Sequence, residues 1–273
     1  MAKKKKSKEL IATPVSATRS DELIYQRKLM VLAREMSKAV RTELLPYLKA
    51  NEAAYVIDAV SDDVEKIIDT LQERFAVVIN AGFAENTATS VVNGIETKTT
   101  RKFVRSVRTI TGIDPSFMLA SEGLTDFVNG QINKNVQLIK SLPEEYFKDI
   151  STIVNNGSLS GARSDTIAKQ ITAKTGSTDS KLVNRIKTIA RNEVQTITSQ
   201  INLRRSEALG ITEGIYRTSE DEKVRKCHKE LNGVRYKLNK GAWSPTCEKW
   251  IQPGITDINC RCRYSPVIEL ENL

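Results

Sequence analysis

All four cysteines and the single histidine of this 273-residue chain lie between Cys227 and Cys262. Soft metal ligands and paired thiols are therefore confined to one short region, and everything before it must fold without them. Aromatic residues make up only 5% of the chain while hydrophobic residues make up 40%, so the core must be largely aliphatic. Aliphatic residues at helical spacing are the simplest way to build one.

The chain upstream of residue 210 carries that spacing. Leu23, Met30, Ala33, Met36, Val40 and Leu44 recur near every three, four or seven positions, and Pro46 is expected to stop that helix. Ile57, Val60, Val64, Ile67, Leu71, Phe75 and Val78 form a second stripe ending near Gly82, and its near-heptad step suits an antiparallel neighbour in a bundle. Val92, Ile95, Thr99, Phe103, Val107 and Ile110 mark a third helix, closed by Gly112. Asp114-Pro115 opens another helical piece, and Leu124, Val128, Ile132, Val136 and Ile139 share a face.

Ser141-Leu142-Pro143-Glu144 reads as a capping box with an early proline, so a new helix is predicted to start there and to end near Asn155-Asn156-Gly157. Ile167 and Ile171 mark a short helix closing at Gly176. Thr178 or Ser180 caps a last long helix striped by Leu182, Ile186, Ile189, Ala190, Val194, Ile197, Ile201 and Ala208, with Gly210 at its end. After it the pattern alternates. Strands are expected over 214–218 and 234–238, and a third over 261–268. The predicted fold is mainly α: a basic disordered arm over 1–20, an elongated helical body over 21–176, and a long helix with a small C-terminal α+β module over 177–273.

The net charge of +9 favours an anionic partner, nucleic acid first. Lys3, Lys4, Lys5, Lys6 and Lys8 form a tail too charged to bury, and counterion release would give it affinity for double-stranded DNA without sequence preference. No run approaches the ~18–20 apolar residues that cross a bilayer. Met1-Ala2-Lys3-Lys4 has no apolar stretch after its charged start, so synthesis in a cytoplasm is expected. No Walker loop or G-x-G-x-x-G occurs.

Ser219-Glu220-Asp221-Glu222 is a second capping box, and a helix from it would place Asp221, Arg225 and His228 on one face, with Asp221 paired to Arg225. Cys260, Cys262, Cys247 and either Cys227 or His228 supply four possible zinc ligands. Alternation along a strand would turn Cys260 and Cys262 to the same side. The same residues are also compatible with buried thiols or a disulfide. Trp243 and Trp250 flank Cys247 and are expected to anchor the core of the small module.

Taken in order, Tyr216-Arg217-Thr218-Ser219, Asp221, Val224-Arg225, His228, Leu231-Asn232-Gly233, Pro253-Gly254 and Asp257-Ile258-Asn259-Cys260-Arg261-Cys262 resemble the phage Mu F-like family of minor head proteins. The likeness extends upstream to 135–143 and to Ile189-Ala190-Arg191-Asn192-Glu193, so it covers roughly residues 120–268. Asp221, Arg225, His228, Cys260 and Cys262 fall on its motif positions, whereas Cys227 and Cys247 do not. The resemblance implies a non-enzymatic virion protein of a tailed phage or prophage. Such a protein would sit inside the head near the portal ring, meet scaffold or major capsid protein during assembly, lie close to packaged DNA and be placed to leave with it. Two other readings are a metal-dependent nuclease centred on Asp221 and His228, and a non-catalytic DNA-binding protein that controls ejection.

Overall fold

A computed structural model describes residues 9–51, 59–119, 122–176 and 181–270. In chain order the elements are β1 (Glu9–Ile11), α1 (Arg19–Ala39), α2 (Leu45–Ala50), α3 (Ala59–Val78), α4 (Ala84–Thr111), α5 (Glu122–Leu159), α6 (Ser164–Gly176), α7 (Lys181–Ala208), β2 (Glu213–Arg217), α8 (Lys226–Lys229), β3 (Arg235–Lys237), β4 (Ala242–Ser244), β5 (Lys249–Ile251) and β6 (Arg263–Glu269). The protein is mainly helical, with its strands paired antiparallel in and beside the C-terminal region. Two compact units form, each discontinuous in sequence. One comprises 23–89 and 132–189, the other 1–22, 90–131 and 190–273.

The first unit is built by helix burial. Val64, Ile68, Leu71, Phe75 and Ile79 bury one stripe of α3 and the turn after it, while Val78 turns outward. In α1 the buried stripe is Tyr25, Leu29, Leu32, Ala33, Met36 and Ala39; of the predicted positions Ala33, Met36, Val40 and Leu44 are buried, while Leu23 and Met30 are only half-buried. Pro46 does not stop the first helical run. A π-type turn at Val40–Leu44 precedes it, and Pro46 falls in the first turn of α2, where a missing N–H matters least. At Gly82 a φ of 112° makes the kink between α3 and α4, a conformation that a side chain would oppose.

The predicted break at Ser141 is absent as well: α5 runs unbroken through Pro143. Ser141 Oγ turns back and donates to the Leu138 carbonyl at 2.8 Å instead of capping a new helix. Ile139, Leu142, Tyr146, Phe147, Ile150 and Val154 are all buried and span the proline. At about 1.5–3 kcal/mol for each large apolar side chain, that face outweighs the ~3 kcal/mol an internal proline costs.

The second unit holds the four-stranded sheet, in the order β1-β6-β2-β3. The disordered arm predicted over 1–20 is not what forms from residue 9 onward. Glu9, Leu10 and Ile11 pair with Glu269, Ile268 and Val267 at the sheet edge, Ala12 and Val15 are buried, and α1 starts at Arg19. A sheet edge with unpaired backbone groups is a strong template for any extended segment, which local composition does not reveal. Lys3, Lys4, Lys5, Lys6 and Lys8 lie outside the described residues. The unit's core joins Phe103 and Val107 of α4 to Tyr216, Leu231, Tyr236, Leu238, Ile251, Tyr264 and Ile268.

Candidate functional site

The site lies where β2, α8 and the loop before β6 converge. β2 carries Tyr216 inward, and the Leu231-Asn232-Gly233 turn folds back on it: Gly233 N–H donates to the Tyr216 carbonyl at 2.8 Å, and Thr218 N–H to Asn232 Oδ1 at 3.1 Å. That turn fixes the short helix α8 and, with it, His228, which is 1% exposed. The 254–262 loop is anchored separately on α7. Asn192 Oδ1 accepts from Asn259 N–H at 3.0 Å, and Gln195 Nε2 donates to the Cys262 carbonyl at 3.4 Å. Gly254 has a φ of 72°, and a Cβ there would lie 2.2 Å from Ser199 Oγ and 2.6 Å from Gln195 Nε2. Only glycine allows both that turn and that closeness to the helix.

These two anchors bring His228, Cys260 and Cys262 together, all three buried. His228 Nδ1 is 3.5 Å from Cys260 Sγ, 3.4 Å from Cys262 Sγ and 3.2 Å from the Tyr216 hydroxyl. On the other side of the ring Nε2 donates to Asp257 Oδ2 at 2.8 Å, and Lys249 Nζ holds Asp257 Oδ1 at 2.7 Å. Gly254 N–H donates to Cys260 Sγ at 3.4 Å. Hydrogen bonding from Cys262, and after it from His228, lowers the Cys260 thiol to about 4 against the cost of burial. Its proximity to Cys260 and its burial both push Cys262 upward. His228 is raised, by its bond to Cys260 and then, against desolvation, by Asp257. Burial raises Asp257, but Lys249 and His228 together hold it below the usual carboxylate range.

Beside the three side chains opens a cavity of about 600 Å³. Its wall includes His228, Cys260 and Cys262, together with Arg19, Arg191, Lys223, Arg225, Arg261 and a single acid, Glu22. Arg19 and Arg191 both face Glu22, at 2.5 Å and 3.9 Å.

Residues 148–265, which contain this whole arrangement, match the family described as Phage Mu protein F like protein. Over that segment the chain is similar to the phage Mu F-like family. An uncharacterised protein of Haemophilus influenzae is 26% identical over 263 residues, 94% of this chain and 55% of the relative. The chain thus spans about half the length of that curated relative. No solved structure matches.

Within the Mu F-like segment several expectations need correction. Cys247 is not beside His228; it forms a disulfide with Cys227 across a Cα–Cα distance of 5.7 Å, which removes both sulfurs as ligands. Cys260 and Cys262 are free. The Ser219 capping box does not form. Glu220 adopts a positive φ, Asp221 Oδ1 accepts from Lys223 N–H in a local turn, and the helix starts only at Lys226. Asp221 pairs with Arg261 rather than Arg225, and Arg225 donates to the Ile258 carbonyl at 2.9 Å. Both therefore brace the cysteine loop from outside the centre. Trp243 and Trp250 are not core anchors: they are 44% and 52% exposed, with their rings 5.4 Å apart and tilted against each other across the β4–β5 hairpin.

The residue that sequence reasoning passed over is Asp257. It opens the Asp-Ile-Asn-Cys-Arg-Cys string, and a histidine presented to soft ligands usually has a carboxylate behind it. Asn192, in the upstream string, was visible as part of the resemblance, but its hold on the 254–262 loop was not.

Proposed function

We propose that this chain is a minor head protein of a tailed phage or prophage, located inside the head near the portal ring and acting without turnover. The match of residues 148–265 to the Mu F-like family carries this reading. The family supports a role in head morphogenesis; the portal ring, scaffold or major capsid protein, and packaged double-stranded DNA are the partners such a role requires. In this reading the helices offer the docking surfaces, and the module around His228, Cys260 and Cys262 is a rigid end held by a hydrogen-bonded or metal-centred cluster. The charge of +9 supports a place beside DNA, and Lys3, Lys4, Lys5, Lys6 and Lys8 would add non-specific contacts. Among the described residues, no helix is long and apolar enough to cross a membrane.

Quantitative mass spectrometry of purified heads tests the reading. A few copies per head are expected, retained in DNA-free procapsids and lost when the portal gene is deleted. Absence from heads, or metal-dependent nicking of duplex DNA that His228→Ala abolishes, would replace it with the nuclease alternative.

A further inference from the structure

We propose that His228 Nδ1, Cys260 Sγ and Cys262 Sγ hold one zinc ion whose fourth position faces the basic cavity and takes an exchangeable oxygen ligand. This does not rest on the head-protein reading, since the argument uses only the centre's own geometry.

The distances are those of a metal site. With Zn–S near 2.3 Å and Zn–N near 2.0–2.1 Å, a tetrahedral ion places a nitrogen and a sulfur ligand about 3.5 Å apart. His228 Nδ1 stands 3.4 Å and 3.5 Å from the two sulfurs. The imidazole is also set in the right tautomer. Asp257 takes the Nε2 hydrogen and Lys249 holds Asp257, so an ion that displaces the Nδ1 proton would find that nitrogen's lone pair directed toward the sulfurs. One lone pair accepts one hydrogen, yet two sulfurs and the Tyr216 hydroxyl crowd it. A cation resolves that excess, because it takes an electron pair from the nitrogen and from each sulfur at once. The Gly254 N–H aimed at Cys260 Sγ treats that sulfur as an acceptor, the role of a bound thiolate.

Two thiolates and an imidazole select zinc over hard cations such as magnesium or calcium. Among the described residues the group has three members, Cys247 being bonded to Cys227. A tetrahedral ion would therefore draw its fourth ligand from the cavity that all three residues line. Five basic side chains, with Glu22 facing Arg19 and Arg191 and Asp221 on Arg261, leave an excess of positive charge that favours an anionic oxygen there, of the kind a phosphate or carboxylate presents.

The 273-residue chain, purified under reducing conditions without chelator, should carry about one zinc ion by plasma mass spectrometry. The Cys227→Ser/Cys247→Ser variant should keep it, while His228→Ala, Cys260→Ser and Cys262→Ser should lose it. Wild-type protein that neither carries zinc nor takes it up on dialysis overturns the site, as does loss of zinc from the Cys227→Ser/Cys247→Ser variant with its helical content intact. Cobalt substitution of the wild type avoids dependence on variants that fail to fold. A thiolate charge-transfer band with tetrahedral d–d bands is expected, and inorganic phosphate should shift the d–d bands. A spectrum that phosphate and other small anions leave unmoved overturns the open position.

Discussion

The helical unit of 23–89 and 132–189 and the C-terminal module are stabilised in different ways. In the helical unit, long stripes of Leu, Ile and Val carry the core, with the rings of Phe75 and Phe147 at 5.8 Å as a local addition. Many side chains share the burial, so the identity of any one matters less than the stripe. In the module, single atoms matter. His228 has a fixed partner on each ring nitrogen, Tyr236 meets the rings of Tyr216 and Tyr264 at 6.2 and 6.4 Å, and Gly254 cannot take a Cβ. Area-based stability tolerates drift, whereas a cluster of directed contacts fails when one member is removed. The ordered motif therefore falls in the module, where spacing is most constrained.

Phe147→Ala should give the largest effect, a loss of about 3–5 kcal/mol, because a fully buried ring leaves a cavity. Urea unfolding followed by circular dichroism reads it; a loss below ~1 kcal/mol would mean that the helical core is loosely packed. Next, Cys227→Ser with Cys247→Ser should lower the module's stability by about 2–4 kcal/mol, since the bridge closes a 20-residue separation. Both tryptophans lie on the β4–β5 hairpin, so their fluorescence reports the module while circular dichroism reports the helices. Coincident transitions with unchanged midpoints would erase the contrast between the regions.

Gly254→Ala should cost about 1–3 kcal/mol, through a positive φ and contact with Ser199 and Gln195, and should shift the tryptophan transition alone. The smallest effect belongs to the helical unit's surface. Burial raises the Asp149 carboxyl, but Lys181 and Lys174 together lower it below its ordinary value. A carboxyl depressed on folding stabilises above its unfolded pKa, and that contribution disappears as pH falls through the folded value. Asp149→Asn should therefore cost about 0–1 kcal/mol at neutral pH and nothing at strongly acid pH. A loss that persists in acid would show that packing, not charge, is responsible.

The sequence by itself determined the helical character of the chain, the stripes of α4 and α7, the strands near 213–217, 235–237 and 263–269, and the confinement of soft ligands to one region. These are readable because burial repeats at 3.6 residues on a helix and at two on a strand, and a repeat is a local property. Tertiary structure alone decided the rest. Pro143 stays inside α5 because a buried face straddles it, and Glu9–Ile11 becomes a strand because a sheet edge formed by residues 263–269 accepts it. Cys227 takes Cys247, leaving His228 to Cys260 and Cys262 with Asp257 behind it. Each of these outcomes is a choice among partners distant in sequence. Such a choice is settled by which groups packing brings within bonding distance, and spacing along the chain does not encode that distance.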